Sequence, residues 1–210
     1  MFKDIVYLES HKRLTDSVED LVAYHDEHKF IIDGPVMKKL GNPWYTYQPV
    51  QDFVWDKNFV ERFPNFYKDV MTLPFDSIRR ISFLESYKIV APHQDMSRDS
   101  VELEPCAYRT FLANDETFYL TPCPDDLMDG KSKRIEDASV LDEFPKFFPN
   151  CELGRWWIMN NQNSIHGTIP QQLGSKKIIV SIWGKVNPER HMQFLEEAVK
   201  DNTSVLCWNK

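Results

Sequence analysis

The amino-acid sequence predicts a mainly β chain, a sandwich or a barrel, with helices at its flanks. Two observations carry this. From residue 75 onward, short β-branched or aromatic stretches ("SIRRISFLESYKIVAPHQD", "CAYRTFLAN", "TFYLTP", "RWWIMNN", "SIHGTIP", "KKIIVSIWGKV") are separated by turn-like clusters, without the alternating helices that a parallel sheet needs. Thirteen prolines and fourteen phenylalanines against seven glycines also suit strands and rigid loops better than a helical bundle. At 210 residues and 42% hydrophobic content, one domain with a substantial core is the expectation.

Taken in order, "DSVEDLVAYHDEHKF" (16–30) places Val18, Leu21, Val22 and His25 at helical spacing, with Asp16 or Ser17 as N-cap. Residues 31–55, rich in proline and aromatics, read as irregular or short extended pieces. The stretch 56–73 is helical but interrupted at Pro64, so one broken helix or two short ones are expected. Residues 125–150 are charged and read as an insertion over the mouth of the β core. After Pro188 a helical pattern closes the chain. The expected division is 1–74, helical and irregular; 75–187, the β core; and 188–210, a terminal helix and tail.

Within that core, "APHQDMSRDS" (91–100) presents His93 and Asp95 two residues apart. On a strand, positions i and i+2 share a face, so both can aim at one metal ion. Of the other histidines, His11, His25 and His28 fall in the part read as helical, and His191 falls in the terminal helix. His166, in "NNQNSIHGTIP", lies in the β region. His93, Asp95 and His166 form a two-histidine, one-carboxylate set, the donor set that leaves three positions open on non-haem Fe(II).

A lysine opens the strand "KKIIVSIWGKV", in which Lys177 stands eleven residues after His166. Alternation puts Lys177, Ile179, Ser181 and Trp183 on one face and Lys176, Ile178, Val180 and Ile182 on the other. An ammonium aimed into a small barrel needs an anion to offset its desolvation. Lys177 is the preferred candidate and Lys176 the competing one.

This ordered pattern resembles the Fe(II)/2-oxoglutarate-dependent dioxygenases: HxD, a later His, then a basic residue opening a strand about ten positions on. Within them, "IRRISFLESYKIVAPHQD" followed by "YRTFL" is similar to the aspartyl/asparaginyl β-hydroxylase branch, while a lysine anchor is that of prolyl hydroxylases. The resemblance covers roughly residues 75–190 and implies a double-stranded β-helix (jelly-roll, cupin-like) core. It implies Fe(II), 2-oxoglutarate and O₂ as cofactor and cosubstrates. It further implies 2-oxoglutarate contacts from Lys177, Ser82 and Arg109, with Trp183 lining the same pocket. The implied reaction is hydroxylation of an amino-acid, peptide or protein side chain with release of succinate and CO₂. Asp95 departs from well-known β-hydroxylases, which lack the carboxylate ligand. A rival reading is a non-catalytic cupin-like module that binds a metal or a small ligand.

Composition excludes other classes. A formal net charge of −7 disfavours nucleic acid as a partner, and no apolar run approaches membrane-spanning length. Cys106, Cys123, Cys151 and Cys207 form no CxxC pair, so inert thiols in a cytoplasmic protein are expected.

Overall fold

The computed structural model describes residues 5–32, 44–86, 92–93, 106–114, 118–122, 138–160, 164–168, 176–201 and 205–207. Among these, the β elements form two layers. The larger is a nine-stranded sheet. Its strands are β1 (Ile5–Arg13), β2 (Phe30–Ile31), β3 (Tyr45–Gln51), β4 (Val54–Trp55), β5 (Phe75–Ser86), β6 (Cys106–Ala113), β8 (Arg155–Asn160), β10 (Lys177–Val186) and β11 (Val205–Cys207). They lie in the order β11-β1-β8-β6-β10-β5-β3-β2, with β4 on β3, and every pairing is antiparallel. The smaller layer pairs β7 (Phe118–Pro122) with β9 (Ser164–Thr168). Phe147 bridges to β7 on one side and His93 to β9 on the other. The segment order Phe147-β7-β9-His93 therefore stands against β8-β6-β10-β5, the jelly-roll arrangement that the resemblance implies.

Each layer arises from where side chains can be buried. Strand β10 is buried along most of its length on both faces. Ile178, Val180 and Ile182 join Phe83 and Ile81 of β5 under the helices, in the outer core. Ile179 joins Phe111, Trp157, Met159, Phe118 and Leu120 in the inner core between the layers. The four α-helices among the described residues cover the outer face of the large sheet: α1 (Val18–His28), α2 (Lys57–Arg62), α3 (Pro64–Met71) and α4 (Pro188–Lys200). Phe59 of α2 packs edge-on against Phe66 and Phe83, with ring centres 5.2 and 5.8 Å apart. Such a pair contributes about 0.5–1.5 kcal/mol beyond simple burial.

The expected helices form where their caps dictate. The Ser17 side chain accepts from Asp20 N at the start of α1, which buries Leu21 and His25. The helical stretch at 56–73 is two helices: Asp56 caps α2, and Pro64, with no N–H to lose, opens α3. Gly154, at φ +74°, makes the turn into β8.

The N-terminal part differs from its expectation as helical and irregular. Residues 5–13 form a strand, and β1 and β3 extend the large sheet on both flanks. His11 thus lies on a strand, not in a helix. The physical reason is that β1 is covered on both faces: Tyr7 packs in the inner core and Leu8 in the outer one. Neighbouring apolar residues then erase the two-residue alternation by which a strand is read. Of the expected insertion at 125–150, residues 125–137 lie outside the described residues, and Ala138–Leu141 form a 3₁₀ turn.

Candidate active site

Histidines 93 and 166 meet as neighbours across the small layer. His93 N donates to His166 O at 3.0 Å and His166 N donates to His93 O at 2.9 Å. This doubly bonded antiparallel pair puts both side chains on one face. Their ring centres are 4.3 Å apart. His166 is buried, and the Phe118 ring lies 6.0 Å from it. Phe118 in turn contacts Phe111 and Trp157 of the large sheet, so the histidine face looks into the space between the layers.

The pair suits a metal ion. Two imidazoles bound about 2.1 Å from one ion at right angles have ring centres about 4.5 Å apart. Asp95, the expected carboxylate donor, lies outside the described residues.

The large sheet supplies the opposite wall, and its register orders that wall into rows. Ser86 pairs with Lys177. Leu84 pairs with Ile179, and Ile179 with Phe111. Ser82, Ser181, Arg109, Trp157 and Glu9 form one continuous row across five strands. Arg80 pairs with Trp183. Because Ile179 is in the inner core, alternation sends Lys177, Ser181 and Trp183 to that same side.

Lys177, 5% exposed, is therefore a buried lysine on the inner face, and Ser82 and Ser181 are buried with it. Arg109 is half-buried. Ser82 and Arg109 flank Ser181, four positions along β10 from Lys177, or about 13 Å. Lys177 and the serine–arginine row can thus face opposite ends of a short diacid. Trp183, about 20 Å along the strand from Lys177, lies beyond the reach of the same molecule.

Lys176 points the other way. Its ammonium lies 2.7 Å from both carboxylate oxygens of Asp26 on α1 and 3.5 Å from Glu85. Lys29 bonds to Glu85 at 2.8 and 3.0 Å and to Asp26 at 2.8 Å, and His25 Nε2 lies 3.0 Å from Glu85. His25 and Glu85 are fully buried. Burial pushes Asp26 upward, but the Lys176 and Lys29 hydrogen bonds and charges outweigh it and hold its carboxyl below the ordinary value. His25, Asp26 and Glu85 are the group of metal-type donors that converges within 4.8 Å among the described residues. Two ammonium groups already neutralise its two carboxylates, so a divalent ion would have to displace both. The cluster reads as an ion-pair weld between α1 and the sheet, and nothing in the sequence pattern had singled it out.

Two further buried groups belong to the inner wall's edge. Desolvation raises the Glu9 carboxyl, although the Tyr7 hydroxyl donates to it at 3.0 Å. Cys151 is buried against Tyr7, and burial pushes its thiol up to about 12, which makes it inert at neutral pH. The side chains of Cys106, Cys123 and Cys207 lie outside the described residues.

No protein-family model matches the chain, and neither does any curated protein sequence. Solved structures do match. HygX from Streptomyces hygroscopicus, solved with nickel, 2-oxoglutarate and hygromycin B, aligns at a TM-score of 0.55 and 15% identity. That alignment spans 88% of this chain and 84% of HygX. The non-haem α-ketoglutarate-dependent epimerase SnoN from nogalamycin biosynthesis aligns at a TM-score of 0.52 and 8% identity, over 88% of this chain and 80% of SnoN. The fold is that of the Fe/2-oxoglutarate-dependent oxygenases. At these identities the likeness is one of fold, and it favours no branch of them. Among the described residues no helix is long and apolar enough to cross a membrane.

Proposed function

We propose that the chain is an Fe(II)- and 2-oxoglutarate-dependent oxygenase that hydroxylates a C–H bond of an amino-acid or protein side chain. The observation that carries this reading is the adjacency of His93 and His166 on a face opposite the buried Lys177. In this reading His93, His166 and Asp95 hold the metal, leaving positions for cosubstrate and O₂. Iron held there would supply the oxidative chemistry by which O₂ and 2-oxoglutarate are consumed, with succinate and CO₂ released, in oxygenating a C–H bond.

The chain's own residues bind, orient and exclude water. Lys177 neutralises the distal carboxylate of 2-oxoglutarate, and the buried Ser82 and half-buried Arg109 support its other end. A charge-assisted hydrogen bond of this kind is worth about 1.5–3 kcal/mol. Phe111, Phe118, Leu120, Trp157 and Ile179 keep the space between the layers apolar, which strengthens each of those charged contacts. The acidic, cytoplasmic character expected from sequence suits a small or peptide substrate in preference to nucleic acid.

Equilibrium dialysis of Fe(II) under argon tests the ligand assignment. The wild-type chain binds one equivalent, and His93→Ala and His166→Ala each lose it. Wild-type iron stoichiometry in either variant would remove the assignment.

A further inference from the structure

Arg80 and Trp183 form an element that the proposed reading has not used. They are directly paired across β5 and β10, on the inner face of the large sheet. The Arg80 guanidinium sits 4.2 Å from the centre of the Trp183 ring. Among the described residues Arg80 has no carboxylate partner, whereas its neighbour Arg79 lies 3.9 Å from Asp52. Arg80 is exposed; desolvation and the Arg79 charge lower its pKa, and the Asp52 charge raises it.

The position of this pair along the barrel is informative. Strand β9 begins at Ser164, whose hydroxyl donates to Asn160 O at 2.7 Å, and β8 is paired there to the start of β6. It ends at Thr168, before the connection that leads to Lys177. His166 is at its centre, so Lys177 and Arg80–Trp183 lie toward opposite ends of the histidine pair. If the cosubstrate fills the space between the histidines and Lys177, the molecule to be oxidised approaches from the end that Arg80 and Trp183 occupy.

Building on the proposed oxygenase reading, we infer that Arg80, stacked on Trp183, is the anchor for a carboxylate on the substrate. A guanidinium lying on an indole keeps its in-plane N–H groups available, and that fork matches a carboxylate in two parallel hydrogen bonds. Trp183 fixes the plane of the fork and supplies an apolar shelf beside it. The substrate class is accordingly an acid: a free or N-acylated amino acid, or a peptide bearing a carboxylate near the carbon that is oxidised.

Calorimetric titration tests this with the Fe(II)- and 2-oxoglutarate-loaded protein under argon. The probes are a series of N-acetyl amino acids and the matching N-acetyl amino-acid amides, which differ only in the carboxylate. The wild-type protein binds at least one acid of the series at least about tenfold more tightly than its amide. In Arg80→Gln that ratio falls to near one with the amide affinity unchanged, Arg80→Lys restores part of it, and Trp183→Leu weakens it. The 2-oxoglutarate affinity of each variant, measured in the same cell, reports whether its barrel is folded. Equal binding of acids and amides, absence of acid binding, or a ratio that survives Arg80→Gln overturns the inference. Failure of the wild-type protein to bind 2-oxoglutarate would instead overturn the oxygenase reading on which it rests.

Discussion

A lone histidine in a strand is usually a structural residue, and what distinguishes His93 and His166 is that each has the other beside it. The sequence made both visible, because the HxD spacing marks one and the β texture around residue 166 marks the other. Their pairing was not visible, since it depends on the register between two segments far apart in the chain. Asp95 lies outside the described residues, and its candidacy rests on the HxD spacing. Asp95→Gly is expected to retain measurable Fe(II) on the two imidazoles while succinate formation falls to background, measured by dialysis and by succinate assay on the same preparation. Full activity in that variant would show that two histidines suffice. Arg80 was not legible for a different reason. "IRRIS" offers two adjacent arginines, and the pairing shifts register between Trp183 and Gly184, so alternation counted from Ile78, which packs on the outer core, assigns the inner face to Arg79 instead of Arg80. Gly184 marks that irregularity: a Cβ there would come within 2.2 Å of Ser77 O and 3.0 Å of Ile78 Cα. Backbone cannot yield as a side-chain tip can, so Gly184→Ala should destabilise the fold by about 1–3 kcal/mol in urea unfolding. An unchanged midpoint would show that the two strands separate there at little cost.

Between elements, the strand opened by two lysines joins two environments. Lys177 faces the layer with the histidines and Lys176 is welded to α1 through Asp26, so one residue's shift of register would exchange their roles. Lys177→Ala should raise the Michaelis constant for 2-oxoglutarate at least about tenfold, each 1.4 kcal/mol being a decade. Lys176→Ala should leave that constant near its wild-type value and lower stability by about 1 kcal/mol at pH 7. The pH dependence of that loss has a definite sign. Asp26 is held below its ordinary value in the folded chain, so its contribution is present above the unfolded pKa of about 4 and fades as pH falls through the lower folded one. The gap between wild type and Lys176→Ala in urea midpoint should therefore be widest above about pH 4 and close in stronger acid. A gap that widened in acid would mean that Asp26 is not the partner. Alternation alone had assigned the two lysines to their faces, because β10 is regular from Lys177 to Trp183. Strand β1 escaped notice because burial on both faces removes the periodicity on which such a reading depends.

At the scale of the whole molecule, the β core and the two-layer closure were legible from the succession of short strands and turns. The helices followed from caps and from Pro64. What sequence could not supply was how the layers face each other, since that is fixed by long-range contacts such as Phe118 against Phe111 and Trp157. Those contacts set the histidine pair opposite the wall that carries Lys177, Ser82 and Arg109, and the functional reading depends on that opposition. The most direct test is succinate formation from 2-oxoglutarate by the purified chain in air, with Fe(II) added and then withdrawn by a chelator. The reading predicts succinate only when Fe(II) is present, its loss on chelation, and its return when Fe(II) is restored, even without a recognised substrate, at the slow rate of uncoupled turnover. Iron that binds at His93 and His166 with no succinate above the iron-only control would contradict it, and would leave a metal-binding module in a double-stranded β-helix.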